Sequence, residues 1–142
     1  QPLRVVVGTS DIDPAARVLH EPGTVRQVRS RDPDTVLGLL FEEGIRHVWL
    51  EGGPRLAGCF VAADVVDRLL IYQAGLLLGD GPAAIGPAGV HTLADAPHWR
   101  IERVDRLGPD VVIEASRAGL GTGESAGGRQ QTNRSAGVHG HR

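Results

Sequence analysis

The run Leu50-Glu51-Gly52-Gly53-Pro54 joins two segments of different periodicity, and this junction narrows the folds open to the chain more than any other feature. Before it, Ile45 to Leu50 is short and mostly apolar, which predicts a buried strand. After it, Pro54 to Ala62 predicts a helix that places Leu56, Cys59 and Phe60 on one side. Upstream, Asp32 is suited to cap a first turn, Pro33 fits the first helical position, and Val36, Leu37, Leu40 and Phe41 recur at helical spacing before Gly44 ends the element. A helix between two buried strands is a βαβ unit, whose crossover is right-handed.

Arg4-Val5-Val6-Val7-Gly8 has the same character as the run before the junction, a β-branched stretch closed by glycine. Thr24 to Val28 predicts a second, shorter strand, and Val66 to Ala74, with Leu69, Leu70, Ile71 and Tyr72 in succession, a central one. Gly75 to Gly89 holds five glycines and two prolines and reads as a surface loop. Trp99 to Leu107 and Val111 to Ala115 flank Gly108-Pro109-Asp110, a hairpin signal. The expected fold is α/β: a mixed, mostly parallel sheet flanked by helices, with a C-terminal β-hairpin.

Composition changes near Ser116. Of the 20 glycines in 142 residues, seven fall in residues 117–142, where Leu120 and Val138 are the only large aliphatics. So little apolar area cannot offset ordering entropy, so residues 1–116 are expected to form the domain and 117–142 a disordered Gly/Ser/Arg-rich tail. The body carries a net charge of −5 and the tail +3, with no positive cluster of the kind nucleic-acid binding requires. All 15 basic residues are arginine, so no lysine can form a Schiff base. Cys59, the single cysteine, excludes an intrachain disulfide and a thiolate-rich zinc site. Leu69 to Leu78, the most apolar stretch, is far shorter than the roughly 20 residues of a spanning helix, and no basic, apolar leader opens the chain. The expected setting is cytoplasmic and soluble, with no membrane or nucleic-acid partner.

The chemistry concentrates at the junction. In open α/β sheets, ligands bind at the carboxyl ends of strands, and the first amides of the following helix point toward an incoming anion. Gly52 and Gly53 permit close approach of a phosphate, and Arg55 adds a charge. The run matches neither Gly-x-Gly-x-x-Gly nor a nucleoside-triphosphate loop. On spacing alone, a plain strand-to-helix joint fits the pattern equally well, and Glu51 is also explained as an acid favoured near a helix start. His20, His47, His91 and His98 show no ligand spacing, and His139 and His141 fall in the expected tail, so no metal site is expected. Cys59 is expected to pack on the buried side of its helix.

The longer run His47-Val48-Trp49-Leu50-Glu51-Gly52-Gly53-Pro54-Arg55-Leu56-Ala57-Gly58, followed by Val66 to Tyr72 and Leu77-Leu78-Gly79, resembles the reductase half of the bifunctional riboflavin-biosynthesis deaminase/reductase. Gln1 to Val7, Leu93-Ala94-Asp95-Ala96-Pro97 and Gly108-Pro109-Asp110-Val111 extend the likeness in family order. The resemblance implies a dihydrofolate-reductase-like fold, NADPH as cofactor and a homodimer. It also implies reduction of the ribosyl group of 5-amino-6-(5-phosphoribosylamino)uracil to a ribityl chain. It further implies that Thr9 and the run Gly52, Gly53, Pro54, Arg55, Leu56, Ala57, Gly58 and Cys59 meet the cofactor, and that Glu51 lies near substrate. The nicotinamide hydride donor would be held against the opened ribose carbon while an acid or water supplies the proton.

The chain also departs from that family. Gly8 replaces the acid that often ends its strand, a basic residue common a few positions later falls near Ile12, and Ala74-Gly75-Leu76 replaces an Ala-Pro-basic stretch. The family's opening strand-and-helix segment, with Ser-Leu-Asp-Gly and an acidic pair before proline, has no counterpart here. Nor do the zinc motifs of the deaminase half. The chain thus resembles the C-terminal portion of the reductase domain. Two other readings stay open: a reductase of another pterin or pyrimidine substrate, and a truncated module without turnover.

Overall fold

The structure is a computed structural model that describes residues 1–119, so the expected tail lies outside the described residues beyond Gly119. Strands β1 (Arg4–Val7) and β2 (Val25–Val28) pair in parallel, Arg4 opposite Val25 and Val7 opposite Val28. Between them the chain makes the four-residue helix α1 (Arg17–His20). Arg4 then gathers the carbonyls of Glu21, Pro22 and Gly23 with one guanidinium nitrogen, which fixes the turn into β2.

Helix α2 (Pro33–Glu42) begins where the sequence predicts. The Asp32 carboxylate accepts from the Thr35 amide at 2.9 Å and the Thr35 hydroxyl at 2.6 Å, and Pro33 fills the first turn. Its end is a Schellman closure. The Ile45 amide reaches back to the Leu40 carbonyl at 3.0 Å and the Gly44 amide to that of Phe41 at 2.9 Å, with Gly44 at φ 84°. Helix α3 (Pro54–Ala62) ends in the same way, with Asp64 at φ 60° in the left-handed position.

The bonds from Thr35 hold the Asp32 carboxyl below the usual carboxylate range. A carboxyl depressed by folding stabilises above its unfolded pKa of about 3.9 and loses that contribution as pH falls through the folded value. Asp32→Ala is therefore expected to lower the urea midpoint at neutral pH. The difference from the parent chain should close in acid, below the depressed pKa.

The core forms where α2 and α3 meet the β1–β2 pair. Val28, Val36, Leu40 and Phe60 are buried together, with Val5, Val7, Ile45, Leu50 and Leu56 packed around them. A separate antiparallel sheet has β5 (Asp110–Arg117) between β3 (Arg68–Gln73) and β4 (Trp99–Leu107), and β4 and β5 make the expected hairpin. Leu93–Asp95 forms one 3-10 turn before β4, closed by a reciprocal Thr92–Asp95 capping box.

Four expectations change. Ile45 to Leu50 forms neither helix nor strand and joins no ladder, so the βαβ unit through it is not formed among the described residues. The sheet is not one mostly parallel layer but a parallel pair and an antiparallel triplet. The strand expected to be central, β3, lies at an edge with Leu70, Ile71 and Tyr72 exposed, and β5 takes the middle. In both strand cases apolar composition stood for burial, but a strand's place is set by which backbones its own amides and carbonyls pair with. Cys59 is exposed rather than packed, because one residue along a helix turns about 100° and Phe60 takes the inward position. Gly75 to Gly89 carries no helix or strand, as expected.

Candidate functional site

The start of α3 opens into a cleft of about 1330 Å³. Its floor is the core itself, through Val36, Leu40 and Phe60. One wall is the segment from His47 to Gly53, and another comes from Pro82, Ala83, Gly86 and Pro87 of the long loop. The first helical bond of α3 runs from the Ala57 amide to the Gly53 carbonyl at 3.1 Å. The amides of Arg55 and Leu56 have no acceptor among the described residues and stand at the cleft, the arrangement that receives anions.

The two glycines of the junction differ. Gly53 caps the helix with extended backbone, and a Cβ added there would meet nothing within 4 Å. At Gly52 an added carbon would press on the Leu56 side chain at 2.8 Å, the flexible end of a residue able to move. Glu51 is exposed at the rim, where one carboxylate oxygen accepts from the Trp49 indole nitrogen at 2.9 Å. The contact orients Glu51 and leaves its second oxygen without a partner among the described residues.

Gly58 does something else. It is buried, and a side chain there would come within 2.5 Å of the Pro87 carbonyl and 3.0 Å of Gly86. Gly86 in turn donates to the Pro54 carbonyl at 2.8 Å and has no room for a side chain either, at 2.9 Å from the same oxygen. Helix and loop thus meet backbone to backbone, and this contact sets the position of the loop wall.

Of the residues singled out from the sequence, Glu51, Gly52, Gly53, Pro54, Arg55 and Leu56 line the cleft together. Thr9, Ala57, Gly58 and Cys59 do not. Thr9 lies beyond β1, where its carbonyl accepts from Arg29 at 3.1 Å. Arg29 also holds Asp11, and their hydrogen-bonded ion pair keeps the Asp11 carboxyl below the usual range. Sequence reasoning missed Arg31, which lines the cleft just past β2. The signal available was topological: β1 and β2 are parallel, so their carboxyl ends open on the same side.

Among the described residues no group of three His, Cys, Asp or Glu side chains is placed to hold a metal ion, and no helix is long and apolar enough to cross a membrane. The cleft's chemistry is therefore that of an apolar floor, free helix-start amides, one carboxylate at Glu51, and the cations Arg4, Arg31 and Arg55.

Residues 1–113 match the family model described as the RibD C-terminal domain. The riboflavin biosynthesis protein RibD of Mycobacterium tuberculosis is 42% identical over 113 residues, a match covering 80% of this chain and 33% of that protein. Among solved structures, RibD of Acinetobacter baumannii superposes with a TM-score of 0.71 at 22% identity, over 80% of this chain and 37% of that one. A Thermotoga maritima chain described as a diaminohydroxyphosphoribosylaminopyrimidine deaminase/5-amino-6-(5-phosphoribosylamino)uracil reductase gives 0.70 at 18% identity, over 82% and 38%. These two likenesses establish the α/β fold. The chain spans about a third of the length of the relatives it matches.

Proposed function

Because the chain belongs to the RibD C-terminal domain family, we propose that it carries the cofactor-binding part of a riboflavin-pathway reductase. In this reading it uses NADPH to reduce 5-amino-6-(5-phosphoribosylamino)uracil to its ribitylamino form. The observation that carries the reading is the start of α3, where the matched residues Gly52 to Leu56 present unpaired amides and Arg55 to a cleft large enough for a dinucleotide. Such a cleft exceeds the roughly 300–1,000 Å³ of small-ligand pockets.

The residues fit the group. Arg55 and the amides of Arg55 and Leu56 would hold the pyrophosphate, with Gly53 giving it access to the backbone. The apolar floor of Val36, Leu40 and Phe60 excludes water from that side. Glu51, steadied by Trp49, would accept a hydrogen bond from a substrate hydroxyl or amine and orient the sugar. NADPH, when bound, supplies the hydride. Thr9, Ala57, Gly58 and Cys59 remain part of the proposal as cofactor neighbours, although they do not line the cleft of the free chain. The reading includes a homodimer, carried by the family resemblance, and a cytoplasmic setting, carried by the single cysteine and the shortness of the most apolar stretch.

A second reading, a folded module without turnover, draws support from the unladdered Ile45 to Leu50 segment beside the site. The assay that separates the two incubates the chain with NADPH and the ribosylaminouracil and follows loss of reduced-nicotinamide absorbance together with the ribityl product. Coupled loss and product formation support the reductase. Absorbance that stays constant over many equivalents of substrate supports the module.

A further inference from the structure

Arginine is the only strongly basic residue type in this protein, so the sites where its charge is unmatched are informative. Among the described residues, Arg4, Arg17, Arg26, Arg29, Arg68, Arg100, Arg103 and Arg117 are each in an ion pair. Arg46 donates to two carbonyls and lies over the Phe41 ring. Arg31, Arg55 and Arg106 have neither an acid nor a carbonyl partner among the described residues, and the first two line the same cleft. Glu51 is the one carboxylate among the residues that line it, and Trp49 already holds that group.

Arg31 also stands on a firm corner. The residue before it, Ser30, accepts the Asp32 amide on its hydroxyl at 3.1 Å, Asp32 caps α2, and Pro33 fixes the next backbone angle. Arg29, two residues earlier, is tied to Asp11 and to the Thr9 carbonyl. A guanidinium held at its base, facing a cleft and left without an anion, is preorganised to receive one. Its fork of donors suits a phosphate better than a point charge does.

We infer that Arg31 is the contact for a phosphate monoester, a second anion position distinct from the pyrophosphate site at Gly53 and Arg55. The inference rests on the reductase reading, in which two reactants carry such a group: the 2′-phosphate that distinguishes NADPH from NADH, and the ribose phosphate of the substrate. Both present the same chemistry to Arg31.

The test titrates the full 142-residue chain, Arg31→Ala and Arg31→Lys by calorimetry with NADPH, NADH and ribose 5-phosphate. Arg31 is exposed, so the alanine variant should keep the parent's denaturation midpoint. Loss of a charged hydrogen-bonded contact should weaken the monoester-bearing probe by between about tenfold and a hundredfold. Lysine should recover part of the loss. A loss for NADPH but not NADH identifies the cofactor's phosphate, and a loss for ribose 5-phosphate identifies the substrate's. Unchanged affinity for both monoester probes, or an equal loss for NADPH and NADH alone, overturns the inference. Should the parent chain bind ribose 5-phosphate but neither nucleotide, the reductase reading falls and the sugar-phosphate arm still decides Arg31. Binding of no probe overturns both.

Discussion

Gly58→Ala is expected to destabilise the chain by about 1–3 kcal/mol, the usual cost of forcing extra volume into a packed contact. The sign is the informative part. In an open helix interior the same change stabilises by up to about 1 kcal/mol, because alanine is the better helix former. Here the new carbon would stand 2.5 Å from the Pro87 carbonyl, an atom of the backbone with no rotamer by which to retreat. Either α3 or the loop must shift, and a shift strains the bond from the Gly86 amide to the Pro54 carbonyl. Pro54, Gly86 and Pro87 all line the cleft, so under the proposed function NADPH affinity should fall together with stability. Denaturant unfolding of the two proteins measures the first effect, and proteolysis within Gly75 to Gly89 reads the loosened loop. A rise in the unfolding midpoint would show that helix and loop do not touch at Gly58.

Leu40→Ala should cost more, about 2–5 kcal/mol. Leu40 is 2% exposed, sits in the cluster of four buried residues that joins α2 to α3 and the β1–β2 pair, and forms part of the cleft floor. Removal takes packing from a cluster it shares with Val28, Val36 and Phe60. Its carbonyl, which receives the Ile45 amide at the end of α2, is unchanged by the substitution, so the loss isolates side-chain packing from the helix stop. Leu93→Ala, at a residue 90% exposed, is the control and should shift stability by less than about 0.5 kcal/mol. Equal effects at the two positions would place the core elsewhere.

What could be read from the sequence divides along a physical line. Both main helices start and stop where local chemistry dictates, because Asp32, Pro33, Gly44 and Pro54 act on backbone groups within a few residues. The hairpin around Gly108-Pro109 was legible for the same reason. Relations between distant segments were not. Nothing local says that β5 is central, that Ile45 to Leu50 goes without a ladder, or that β1 and β2 form a pair apart from the other three strands.

The site follows the same division. Glu51 through Leu56 could be found from the strand-to-helix junction, and the structure brings them to one cleft. Gly58 belongs to the same sequence run, but its burial depends on a loop almost thirty residues away, so a run that reads as one motif proves to contain two kinds of glycine. Gly53 has free space around it, whereas Gly58 has none. Arg31 carries no local motif, and only the parallel pairing of β1 with β2 brings it to the cleft.

The difference between those two glycines supplies the most direct test of a cofactor site at the start of α3. A carbon added at Gly53 meets nothing within 4 Å in the free chain, so Gly53→Val should still fold, losing about 1 kcal/mol for the poorer helix cap, while blocking a phosphate from the helix-start amides. The measurement is a calorimetric titration of NADPH into the parent chain and this variant. The account predicts saturable binding by the parent and affinity weakened by about tenfold or more in the variant. Equal binding by both proteins, or none by the parent at millimolar cofactor, would contradict it.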